Sequence, residues 1–247
     1  MAESGKVTQA RIGLEKLNLH HPDEALIHFG IAVTYTLEEN YQKAKYYLLR
    51  AIEINPFYAD AHFNLGALYQ LELNLYGSII HYQKVCEFSN SIELVNKVKS
   101  ILTSYEDILK QKDGIDLNSY LKNQETFMVA FTEMEQKNWK KAIEIFQKVL
   151  EVKPNHLASL GNIGLCYGQL TEYTKAITYL DMPLEIDHEY TPAITNKAIY
   201  STLQDGETLP EGKKIVEQDT LKPCSTLSGP SGLPWVYLGM RQSPGNG

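Results

Sequence analysis

The chain is short of several things, and each shortage excludes a class of function. It has three cysteines in 247 residues, Cys86, Cys166 and Cys224, with no CxxC pair. An odd, scattered set points to reduced thiols in a cytoplasmic setting and not to a disulfide framework. No run of 18 apolar residues occurs, so no segment reads as a helix across a bilayer. The opening stretch "MAESGKVTQARIGLEKL" lacks the apolar core of a secretory signal. Positive charge is in deficit, with 23 Lys and Arg against 30 Asp and Glu, a net −7. That balance disfavours sequence-independent nucleic-acid binding and a basic RNA-reading groove, both of which need cations facing phosphates. The seven histidines form no HxxxH and no cluster with the cysteines at metal-ligand spacing. "SGPSG" lacks the lysine and following helix of a phosphate loop. No catalytic residue, metal ligand or cofactor site is nominated. The expectation is a chain that is not an enzyme.

What the chain does have is recurrence. Pro22 and Pro56 stand 34 residues apart, Asn90 follows at the same distance, and Pro154 and His188 are again 34 apart. A fixed period in this range marks a stacked array. The interior agrees. With Ala25 as position 1, Ile31, Ala32, Tyr35, Ala44, Leu48, Ala51 and Pro56 fall at 7, 8, 11, 20, 24, 27 and 32. From Ala59, Leu65, Gly66, Tyr69, Tyr82 and Val85 fall at 7, 8, 11, 24 and 27. From Leu157, Ile163, Gly164, Tyr167, Ala176 and Leu180 fall at 7, 8, 11, 20 and 24. The unit from Asn123 fits less well in its first half but has Ala142, Phe146, Val149 and Pro154 in place.

This pattern resembles the tetratricopeptide repeat, whose signature is small residues at 8, 20 and 27, large apolar ones at 4, 7, 11 and 24, and proline at 32. The resemblance covers roughly residues 7 to 205. It implies an all-α fold, a right-handed superhelical stack of antiparallel helix pairs. The physics stands beside the resemblance. Apolar residues recurring at three and four give each helix a core-facing stripe. Small residues such as Gly66 and Ala44 sit where two backbones must approach. Neither helix of a pair is stable alone, so successive pairs lean on one another.

Along the chain, Ala10, Leu14, Leu17 and Pro22 fall at 20, 24, 27 and 32, so residues 6–19 read as a second helix without its first. Such a start suits either a capping helix or a fragment of a longer array. The first array spans 1–90. The register then fails, and 91–122 reads as a divergent connecting unit: one long helix over Ser91 to Lys112, then a turn in which Gly114 ends a helix and Asn118 or Ser119 caps the next. The second array spans 123–205. Pro183, at position 27, should kink or end its helix early. A short cap helix is expected in 206–222. Residues 223–247 hold five glycines, four prolines and a single charge, Arg241, and read as a disordered tail, either native or the product of a shifted reading frame.

The resemblance implies that positions 2, 5, 6, 9 and 12 of each first helix line a concave groove. Phe29, Asp60, Phe63, Asn64, Asn162 and Asn196 are the candidate binding residues, and the three asparagines share position 6. An amide offers two donor hydrogens and an acceptor oxygen, so such residues spaced along a groove suit the backbone of an extended peptide. Phe29 and Phe63, if exposed, would favour an apolar or aromatic ligand; otherwise they belong to the core. The basic residues with which some family members hold a terminal carboxylate are missing, since the matching positions are Leu26, Phe29, Asp60, Phe63, Ala158, Pro192 and Thr195. His62, at position 4, reads as a core residue, and "NWKKAIEIFQKV" as a solvated helix face. The reading is a non-catalytic, cytoplasmic scaffold for an extended peptide or helix of another protein, with no membrane or nucleic-acid partner. Apolar faces at open array ends would allow self-association. The alternative is the docking part of a larger enzyme, such as a transferase.

Overall fold

The computed structural model describes residues 2–209, with side chains from residue 5 onward. The expected cap helix in 206–222 falls almost wholly outside that range, and the tail 223–247 entirely so. Among the described residues there are eleven α-helices and no strand. The chain forms two compact units that meet in sequence between Ser104 and Tyr105.

In the first unit, α1 (Ala2–His20) packs on α2 (Ala25–Leu37), which pairs with α3 (Tyr41–Ile54). Next, α3 meets α4 (Ala59–Leu71), which pairs with α5 (Leu75–Phe88). The long α6 (Ile92–Asp113) begins in this unit. In the second unit, α7 (Leu117–Glu135) pairs with α8 (Trp139–Val152), and α9 (Leu157–Gln169) with α10 (Tyr173–Ile186). There α8 also meets α9, and α11 (Thr191–Tyr200) touches both α10 and α9. The helix pairs are those the 34-residue recurrence predicts.

The small positions behave as close packing demands. Ala32, Ala44 and Ala51 have no exposed surface. A Cβ added to Gly66 would come within 2.8 Å of the Tyr82 ring. In α8 the buried stripe is Ala142, Ile143, Phe146 and Val149, three and four apart. Burying a phenylalanine such as Phe146 stabilises by roughly 1.5–3 kcal/mol. The central first helices are covered on every side: Ala61 to Leu68 of α4 are all buried.

The turn inside each pair is built identically four times. Glu39, Leu73, Lys137 and Thr171 all hold φ between +57° and +62°. The next residue's N–H reaches back to the carbonyl five residues earlier: Asn40 to Tyr35 at 2.9 Å, Asn74 to Tyr69 at 2.8 Å, Asn138 to Glu133 at 2.9 Å and Glu172 to Tyr167 at 3.0 Å. This is a left-handed C-terminal cap, and it satisfies carbonyls that the helix end leaves open. Asn40 and Asn74 then cap the following helix, their side chains accepting from the N–H of Lys43 and Gly77. A side chain other than glycine in the left-handed region costs about 1–2 kcal/mol, and most for a β-branched residue. Thr171→Gly is therefore expected to stabilise the chain by about 1 kcal/mol, after allowing for glycine's freer unfolded state. Urea denaturation followed by circular dichroism reads this directly, and an unchanged or lower midpoint would show that the turn carries no strain.

Three expectations are corrected. Pro183 does not end its helix: α10 runs on to Ile186 and keeps the fourteen residues of α3, α5 and α8. The missing N–H removes one bond of the helical ladder, while Pro183 itself is buried and the Asp187 N–H still bonds its carbonyl at 2.9 Å. The cap before α7 is Asp116, whose carboxylate accepts from the Ser119 N–H at 2.7 Å, and not Asn118 or Ser119. The first helix of the unit from Asn123 starts early, at Leu117, because the additional turns bury Leu117 and Leu121. Gly114, as expected, ends α6 with φ +69°.

Candidate functional site

The named first-helix residues occupy three environments. Asp60, in the first turn of α4, is half-buried, and burial raises its carboxyl above the usual range. Phe29 and Phe63 are 6% and 1% exposed, so the exposure that would make them ready aromatic anchors is not met in this state. Phe29 lies against Tyr58, ring centres 5.0 Å apart, and Phe63 against Tyr82 at 5.8 Å. Asn64, Asn162 and Asn196 are 3%, 0% and 0% exposed.

The structure adds a residue that the sequence pattern missed. Lys97 of α6 lies over Phe63 with its ammonium 5.0 Å from the ring centre. A cation over an aromatic face is held by the ring quadrupole. The stretch from Ser91 breaks the repeat register, so no position could be assigned to Lys97 from spacing.

Asn162 is distinct among the asparagines. Its amide nitrogen and oxygen are both buried, and neither has a hydrogen-bond partner among the described residues. An unsatisfied buried polar group costs roughly 1–3 kcal/mol. It sits in a buried run of α9, Ser159 to Cys166.

The histidines act at joints between pairs. His28 and His62 are each 5% exposed, and each ring Nε2 lies against the carbonyl of the proline six residues earlier, Pro22 at 2.8 Å and Pro56 at 2.9 Å. The Nδ1 of His62 faces the Nδ1 of His81 at 2.9 Å. Burial, with the His62 ring and Lys45 next to it, pushes His81 down to about 4. Among the described residues no three His, Cys, Asp or Glu side chains come together in a way that could hold a metal, and no helix is long and apolar enough to cross a membrane. Cys166 is buried, and burial pushes its thiol up to about 12, so it stays protonated.

Paired helices in register, with small residues at the crossings and a left-handed cap in every pair, define a helical-repeat protein. Family models for the tetratricopeptide repeat match at residues 25–58, 47–81 and 127–156. The chain is thus a tetratricopeptide-repeat protein through those stretches. It is 28% identical over 129 residues to response regulator aspartate phosphatase I of Bacillus subtilis (strain 168), a match covering 50% of this chain and 30% of the phosphatase. Among solved structures it resembles the TPR domain of P58(IPK), at 13% identity and a TM-score of 0.41, covering 81% of this chain and 61% of that one. It also resembles the TPR2AB domain of yeast Sti1, solved in complex with pHSP90, at 16% identity and a TM-score of 0.38, covering 81% of each chain. A third likeness is YrrB, described as a TPR protein with an unusual peptide-binding site, at 18% identity and a TM-score of 0.34, covering 75% of this chain and 97% of YrrB.

Proposed function

We propose that the chain is a protein-interaction scaffold that holds an extended peptide, or a helix, of another protein along the first-helix faces of its repeats. The observation that carries this reading is the unpaired amide of Asn162 at position 6 of a first helix. A peptide backbone offers the donor and acceptor that this amide lacks, and pairing with it would remove a standing cost of the free chain. Asn196 occupies the same position in the second unit, and Asn64 in the first. Asp60 and Lys97 are half-buried residues of opposite charge near Phe63, and a ligand's apolar side chain reaches that ring by displacing the lysine. Because Asn162 is fully buried in the free chain, binding requires the side chain to turn outward, a ligand-driven shift between two states. Self-association fits the exposed Ile12 and Leu19 of α1, 46% and 80% accessible.

Asn162→Ala separates stability from binding. The variant loses an unsatisfied amide, so its stability in urea denaturation should stay level or rise by about 1 kcal/mol. Affinity capture of partner proteins from a lysate of the source organism should fall about tenfold in an Asn64→Ala/Asn162→Ala double variant. Unaltered capture with a stable fold would remove the asparagines from the binding site.

A second reading, a docking segment of a larger enzyme, is favoured by the match to a named phosphatase over part of that protein's length. Sequencing the native open reading frame decides it: a catalytic domain joined in frame supports it, and a frame confined to these repeats opposes it.

A further inference from the structure

We propose that the edge of the second unit formed by the α7–α8 and α9–α10 turns is a separate interaction surface, which takes an acidic segment of a partner protein bearing a large apolar side chain beside its carboxylates. An open cleft of about 450 Å³ lies there, lined by Lys137, Asn138, Trp139, Lys140, Lys141 and Leu170. Half of the lining is lysine in a chain whose net charge is −7.

Elsewhere the lysines are commonly neutralised from within: Lys45 by Glu72, Lys84 by Glu87, Lys153 by Asp113 and Lys197 by Asp181. In the cleft only Lys141 is so engaged, by Glu133 at 2.6 Å. Lys137 and Lys140 are exposed and meet no acidic side chain within ion-pair distance among the described residues. The floor is apolar. Trp139 and Leu170 are half-buried, and both pack against the cluster built on Phe127, Phe146 and Ile163. Their positions are therefore set by the core of the unit. Cations ringing an anchored aromatic and aliphatic pair complement carboxylates that flank an apolar side chain.

The surface is distinct from the first-helix faces, because its residues lie in the turns inside the pairs or in the first turn of α8, and none occupies position 2, 5, 6, 9 or 12 of a first helix. The chain's own tail is a poor occupant on charge, since residues 223–247 carry one charge and it is Arg241. A chain with "NWKK" followed by alternating acids reads as a solvated face in sequence. What changes that reading is Leu170, 31 residues beyond Trp139, brought alongside to close the floor.

The test uses the full chain, isotopically labelled, and two synthetic heptapeptide pools. One has Glu and Asp flanking a central Leu, Phe or Trp; the other replaces every acid with Gln or Asn. The acidic pool should shift the Trp139 indole and Leu170 methyl resonances, more at low than at high salt. Lys137→Glu/Lys140→Glu should weaken that binding at least about tenfold, with the circular dichroism spectrum retained because both side chains are exposed. Asn64→Ala/Asn162→Ala should leave it unchanged, which separates this surface from the proposed groove. Equal shifts from the two pools, an unaffected lysine variant, or shifts that appear only as the protein's own concentration rises would each overturn the proposal, the last in favour of a second copy as occupant.

Discussion

Gly164→Leu is expected to destabilise the second unit by about 3 kcal/mol or more. Even the first added carbon has nowhere to go. A Cβ at Gly164 would lie 2.8 Å from Leu180 Cγ and 3.0 Å from the backbone oxygen of Ala176. Leu180 is wholly buried and the carbonyl belongs to α10, so neither withdraws without parting the α9–α10 pair. Gly164→Ala should cost less, roughly 1–2 kcal/mol, since overpacking of about 1–3 is partly offset by alanine's better helix propensity. Gly13→Ala is the control. Nothing lies within 4 Å of a Cβ there, so the same change in α1 should stabilise by about 0.5–1 kcal/mol. Urea midpoints of the three variants give the order. A Gly164→Leu chain as stable as the parent would mean that α9 and α10 do not cross at this position.

Acidification is the second large effect. His62, His81 and His156 all titrate lower in the folded chain than the ordinary 6.5, with burial the first cause in each; His81 and His156 fall to about 4. The geometry explains why the first two resist a proton. His62 Nε2 donates to the Pro56 carbonyl, so the neutral ring has Nδ1 as an acceptor, and His81 Nδ1–H supplies the proton between them. A proton added to His62 would set two N–H groups against each other, with Lys45 and Lys84 adding positive charge nearby. His81 is also stacked on Tyr69, 5.4 Å between centres. His156 accepts from the Ser159 N–H through Nδ1 as the cap of α9, a role that the protonated ring loses. Between pH 6.5 and about 4 the unfolded chain therefore binds more protons than the folded one. Stability is complete above that window and falls as the pH drops through it, by about 1.4 kcal/mol for each unit by which a ring is lowered. Asp60, raised by burial, works in the opposite sense. Urea midpoints measured every half pH unit should show the decline, and His81→Phe combined with His156→Phe should flatten it. A flat profile in the parent chain would place these rings in contact with solvent.

The pairing of helices was legible because its signals lie within short stretches. Ala32 and Gly66 announce close crossings by their size, and Leu48, Tyr82, Phe146 and Leu180 announce the buried stripe by their spacing. Where signals compete, the reading slipped. Pro183 is a helix breaker by its own chemistry, yet the packing around it outweighs one lost hydrogen bond. Asp116 capped α7 ahead of two other good capping residues, a choice settled by Leu117 and Leu121 finding a core to enter. The candidate groove was legible only as a set of positions. Asn64 and Asn162 share a repeat position, and composition has no way to tell which amide is left without a partner.

From residues alone came the repeat, its helix pairs and the residues that make them cross, since periodicity and side-chain size belong to contiguous sequence. Tertiary structure alone decided that Lys97 covers Phe63, that His62 and His81 share a proton, and that Leu170 completes a lysine-rimmed cleft with Trp139. It also decided that four residues other than glycine hold the left-handed turns. Each of these depends on groups far apart in the chain, or on a backbone torsion that no side chain there advertises. Packing energy summed over whole helices sets such features, and no local preference is large enough to reveal it beforehand.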